Sequence, residues 1–149
     1  DEQTHDLLRE AQDLLAHTEG GRQISNVLRR ALEHYVRHLK QRKFAETEKP
    51  RRATQKPKSV RTVPASVKRA VKARDEGQCT LTNESGERCP ARSGLEYDHV
   101  KPVAKGGETT VENVRLRCRA HNQLAAEQAY GEEFMRQKRE AARKVTRQR

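Results

Sequence analysis

Residues 95–122 read LEYDHVKPVAKGGETTVENVRLRCRAHN and hold most of the chemically able side chains of the chain. Asp98 and His99 stand side by side at the end of a short apolar and aromatic run. Histidine is the natural proton acceptor near neutral pH. Carboxylate and amide oxygens suit a hard divalent ion such as Mg²⁺. Such a set can activate a water against a phosphodiester while the cation offsets the charge growing on the leaving oxygen. An Asp-His pair by itself is weak evidence, because surface pairs of this kind are common. Its neighbours give it weight.

A second group of ligand types brackets the first. Cys79, Cys89, Cys118 and His121 read as C-x9-C followed by C-x2-H. The tight Cys118–His121 spacing lets two ligands meet one ion from a turn into a helix, whereas the loop TLTNESGER spreads the first pair. Thiolate and imidazole suit tetrahedral Zn²⁺, and four such ligands leave no open position, so the expected site is structural. Three cysteines cannot all pair as disulfides, and reduced thiols on a metal, as in the cytoplasm, are the expectation. The competing reading is three buried free thiols and an unrelated surface histidine.

These residues need a hairpin and a helix start to bring them together. Asp98 and His99 end a first strand, where neighbouring side chains point to opposite faces unless the backbone bends at Val100-Lys101-Pro102. Gly106-Gly107 supplies the turn. Asn113 opens the return strand and is placed to brace the loop carrying the base by bonding its backbone. Arg115, Arg117 and Arg119 alternate along that return, and with Lys101 and Lys105 they are candidate phosphate contacts.

The ordered set Asp98-His99-x2-Pro102-x3-Gly106-Gly107-x5-Asn113-x4-Cys118-x2-His121-Asn122 resembles the pattern of the HNH endonuclease family. With the upstream cysteines the resemblance covers about a third of the chain. It implies an α+β fold, a small zinc-stapled ββα-metal unit, and metal-dependent cleavage of DNA. In that family the histidine of the Asp-His pair is the general base, the aspartate binds the catalytic cation and the middle asparagine orients the base loop. Those roles fall on His99, Asp98 and Asn113, with Mg²⁺ or Mn²⁺ as the ion. Many members end Cys-x2-Cys-His, and this chain departs from that. Its His121 aligns with the structural zinc position and its Asn122 with the catalytic-metal position, as in H-N-N variants. The alternative gives His121 to the catalytic ion.

The rest of the chain sets the limits. Of 149 residues, 32% are hydrophobic and 36% charged, with no Trp, so the compact part must be small and benefits from a staple. A net charge of +11 points to a polyanion, DNA first. No apolar stretch is long enough for a membrane span. The chain begins at Asp1 rather than Met, as a piece of a longer protein would. Residues 1–44 read as a helical hairpin: a helix over 3–17 closed by Gly20-Gly21, then a second from Gln23 to Phe44. Its apolar stripe suggests a homodimer through these helices. His34 and His38, one turn apart on that second helix, are read as a solvated face. Residues 45–64 read as a basic linker containing Pro50, Pro57 and Pro64. Residues 65–149 read as the nuclease domain, opened by a helix with Val67, Ala70 and Val71 inward and closed by a basic helical extension. The rival reading is a non-catalytic, zinc-stabilised nucleic-acid-binding module.

Overall fold

The computed structural model describes residues 1–50, 59 and 62–147. They form two compact units, Asp1–Glu48 and Lys49–Arg149. Half of the expected basic linker, 51–58, 60 and 61, lies outside the described residues.

The first unit is the helix pair α1 (Glu2–Leu14) and α2 (Ile24–Phe44). Asp1 caps α1, its side chain accepting from the Thr4 amide at 2.7 Å. The helix stops at Leu14, short of the expected residue 17, and the glycines do not cap it. They build a tight turn instead. A Cβ on Gly21 would overlap the Leu15 carbonyl oxygen, and Asn26 Nδ2 donates to the Gly20 carbonyl. The pair buries very little: no side chain of α1 and only Val27 of α2 is fully covered. Ile24, Leu28, Leu32 and Tyr35 are each half or more exposed.

The second unit contains α3 (Ala65–Arg74), β1 (Leu95–His99), β2 (Val114–Cys118), α4 (Arg119–Tyr130) and α5 (Glu132–Arg147). The described residues are thus α+β, with five helices and one two-stranded antiparallel sheet. The register pairs Leu95 with Cys118, Tyr97 with Leu116 and His99 with Val114. Alternation therefore separates two faces of the ribbon. Leu95, Val114 and Leu116 are buried with Val71 of α3 and Cys79. Tyr97 reaches α3 through a hydrogen bond from its hydroxyl to the Lys68 carbonyl. Ala70, expected to point inward, is exposed. The other face carries Glu96, Asp98, Arg115 and Arg117.

Asp75 ties α3 to the ribbon. It is 4% exposed, accepts from the Leu116 amide at 2.7 Å, and pairs with Arg74. Arg74 in turn donates to the carbonyls of Val111 and Val114. A buried carboxylate is tolerated when its lone pairs are filled in this way.

Candidate active site and metal centre

The segment 79–91 is a small hairpin rather than the open loop its composition suggests. Cys89 N donates to Leu81 O, Asn83 and Glu87 close the tip, and Cys79 N donates to Ala91 O. Thr80 fastens it to β2 through its amide and its hydroxyl, both donated to the Leu116 carbonyl. Arg88 stiffens its base by donating to the carbonyls of Asp75, Gln78 and Cys79. That arginine gave no signal in the sequence, since long-range side chain to backbone bonds leave no local pattern.

This hairpin brings Cys79 and Cys89 to the end of β2, where Cys118 and the first turn of α4 supply the other two groups. The ligand atoms of Cys79, Cys89, Cys118 and His121 lie within 4.8 Å of one another. His121 Nδ1 is 3.4 Å from Cys79 Sγ and 3.3 Å from Cys118 Sγ. A tetrahedral Zn²⁺ with ordinary bond lengths sets its sulfur and nitrogen ligands about 3.5 Å apart. The donor set and its dimensions fit zinc. Burial pushes the Cys79 thiol up, but bonds to sulfur from the backbone of Cys118 and Leu81, aided by His121 and Cys89, outweigh it and bring the pKa to about 6. Such a thiol is ready to bind as thiolate.

On the outer face of the ribbon, Asp98 pairs with Arg115 directly across the strands at 2.8 Å. Glu96, two residues earlier, accepts from Asn122 Nδ2 in the first turn of α4. Asn122 thus meets the ribbon at Glu96, on the strand face that also carries Asp98. A carboxylate and an amide oxygen are a plausible pair of protein ligands for Mg²⁺, which keeps several waters and takes phosphate oxygens besides.

β1 stays regular through His99, with no bulge, and Val100 N continues the ladder to Asn113 O. His99 lies 2.9 Å, through Nε2, from Thr109 Oγ1. Asn113 spans the loop: its Oδ1 accepts from Lys101 N, and its Nδ2 donates to the carbonyls of Lys101 and Glu108. Gly107 is required there, because a Cβ would overlap the Lys101 carbonyl oxygen, and Gly106 before it has φ +78°. Asp98, His99 and Arg115 all line one open groove of about 830 Å³.

Residues 79–125 match the family model of the HNH endonuclease, a span that includes the four zinc-type ligands, Asp98, His99, Asn113 and Asn122. The chain carries an HNH domain. Neither curated proteins nor solved structures give a match to it. No helix among the described residues is long and apolar enough to cross a membrane.

Within the HNH domain one candidate phosphate contact is buried. Arg117 is 8% exposed, and its Nε has no hydrogen-bond partner among the described residues. It is not available to a DNA phosphate. Arg115 and Arg117 share the ribbon face on which Asn122 of α4 meets Glu96, and Arg119 already belongs to α4 and is exposed. Burial, opposed only in part by nearby Asp98 and the cysteines, holds the Arg117 pKa below its usual value. Lys101 is exposed, and Lys105 is tied to the Ala129 carbonyl. Thr109 and Glu96, the partners of His99 and Asn122, gave no signal in the sequence. Threonine in a loop and glutamate in a strand are too common to mark a site without their partners.

Proposed function

We propose that this protein is a metal-dependent endonuclease that hydrolyses DNA phosphodiester bonds. The observation that carries the reading is the adjacent Asp98 and His99 on one groove, with the His99 ring bonded to Thr109 and its loop spanned by Asn113. With Nε2 protonated and donating to Thr109 Oγ1, Nδ1 of His99 keeps its lone pair and takes the proton from the attacking water. Asp98 and the Asn122 amide oxygen hold the divalent ion, Mg²⁺ or Mn²⁺. When bound, that ion supplies the positive charge that stabilises the leaving oxygen. Arg115, paired with Asp98 in the free protein, would be available to a phosphate with the ion bound, and Arg119, Lys101 and Lys105 would contact the flanking backbone. The zinc ligands Cys79, Cys89, Cys118 and His121 stay outside the chemistry and stiffen the helix start that presents Asn122.

One such site cuts one strand. The exposed stripe of α2 supports a homodimer that would bring two sites to a duplex, and the reduced thiols suit the cytoplasm. The Asp98–Arg115 pair favours a second reading, a zinc-stabilised DNA-binding module in which the carboxylate is never released to a cation.

The test is incubation with supercoiled plasmid and Mg²⁺ or Mn²⁺, beside His99→Ala and a chelated control. Nicked or linear product that disappears in both controls is the expected result. Plasmid binding without cutting under either ion would sink the catalytic reading in favour of the binding module.

A further inference from the structure

The groove at Asp98 and His99 extends past the reacting groups to an aromatic corner. Gly131, at φ +91°, breaks the chain between α4 and α5 and sets Tyr130 and Phe134 beside each other, their ring centroids 6.3 Å apart and tilted by 42°. Both are exposed, Tyr130 at 37% and Phe134 at 48%. Each ring has its own ammonium group. Lys105 Nζ stands 5.4 Å from the Tyr130 centroid, and Lys138 Nζ stands 5.5 Å from that of Phe134. Tyr130, Phe134 and Lys138 line the same groove as His99.

We infer that this corner binds an unpaired nucleotide of the DNA beside the Asp98–His99 groove. The inference rests on the proposed reading only in taking DNA as the ligand. An exposed ring with an ammonium group over it matches a base and its phosphate, the base stacking on the ring and the ammonium meeting the phosphate. In a duplex both faces of each base are covered by its neighbours, so an aromatic corner inside a groove can stack only on a base that has left the helix. The favoured substrates are then single strands, flaps and mismatched sites. The positive rim supplies the charge complement, since α5 carries Lys138, Arg143 and Lys144 beyond its paired arginines.

The experiment uses the full zinc-loaded chain with no added divalent ion, and anisotropy of a fluorescein-labelled 20-mer as single strand and as duplex at one salt concentration. The single strand should bind more tightly. Tyr130→Leu with Phe134→Leu should weaken single-strand binding by about tenfold, within the range of base stacking on a ring, and leave the duplex within about twofold. Tyr130→Phe with Phe134→Tyr keeps both π-faces and should retain the preference. Equal binding of the two DNAs by the wild type overturns the inference. So does an equal loss on both by the leucine pair with zinc content intact, or loss of the preference in the ring-exchanged protein. Plasmid cutting is scored separately: a chain that prefers the single strand and cuts nothing removes the catalytic reading and leaves this one standing.

Discussion

The bond between His99 Nε2 and Thr109 Oγ1 fixes the orientation of the ring proposed as base. Thr109→Val keeps the shape and removes the acceptor. In the proposed reaction kcat should fall roughly tenfold while KM holds, whereas His99→Ala should lose on the order of 10²- to 10⁴-fold, the usual share of general base catalysis. Steady-state cleavage of a labelled oligonucleotide measures both. Arg117 allows a test of a different kind. Because it is buried, Arg117→Met should leave DNA affinity and its salt dependence unchanged. Arg119→Gln, at an exposed position, should reduce the slope of log K against log salt by about one. Equal effects of the two substitutions would mean that Arg117 reaches the phosphates after all.

At the scale of elements, Asp75 is a buried polar tie between α3 and the ribbon, beside the Tyr97 and Arg74 bonds. Asp75→Ala strips the acceptor from the Leu116 amide and the partner from Arg74, and it should cost about 3 kcal/mol of stability, readable as a lower urea midpoint. The α4–α5 junction depends on a different pair. Arg139 first, then Gln123, hold the Glu127 carboxyl below its usual pKa. A depressed carboxyl contributes fully above the ordinary carboxylate pKa and loses that contribution as pH falls through its own lower value. Amide exchange in 132–147 should therefore quicken below about pH 4, near the ordinary carboxylate value, while β1 and β2 stay protected. Glu127→Gln should reproduce the faster exchange at pH 6. If α5 is equally protected in both proteins, this link does not hold it.

For the molecule as a whole, the two units have different needs. The 49–149 unit has few buried apolar side chains, and four ligand atoms gathered at one point supply what that core lacks. Stripping zinc should melt this unit and leave α1 and α2 helical by circular dichroism. Val27 is the one buried side chain of helices α1 and α2, so the proposed dimer would supply the cover that they lack. Sedimentation should show a concentration-dependent dimer. Leu28→Glu with Leu32→Glu should abolish it without touching zinc content, and a wild type that is monomeric at every concentration would remove the dimer proposal.

The site was legible in the sequence wherever chemistry depends on local order. Asp98 next to His99, the Gly106-Gly107 turn, Asn113 and the Cys118-x2-His121-Asn122 helix start sit close together along the chain, so their spacing alone fixes the hairpin and the helix entry. The zinc-type set was readable too, because thiolates and imidazole at such spacings have few other uses. Side-chain bonds between residues apart in the chain were not readable. Asp75 on Leu116, Arg88 on three carbonyls and Thr109 on His99 join residues whose types are ordinary at their positions. The same holds for burial. Arg115, Arg117 and Arg119 look equivalent in the sequence, yet pairing with Asp98 occupies the first, burial removes the second and only the third stays exposed. Charge is a property of the residue, and its availability to a partner is a property of the packing. The tertiary structure alone decided that.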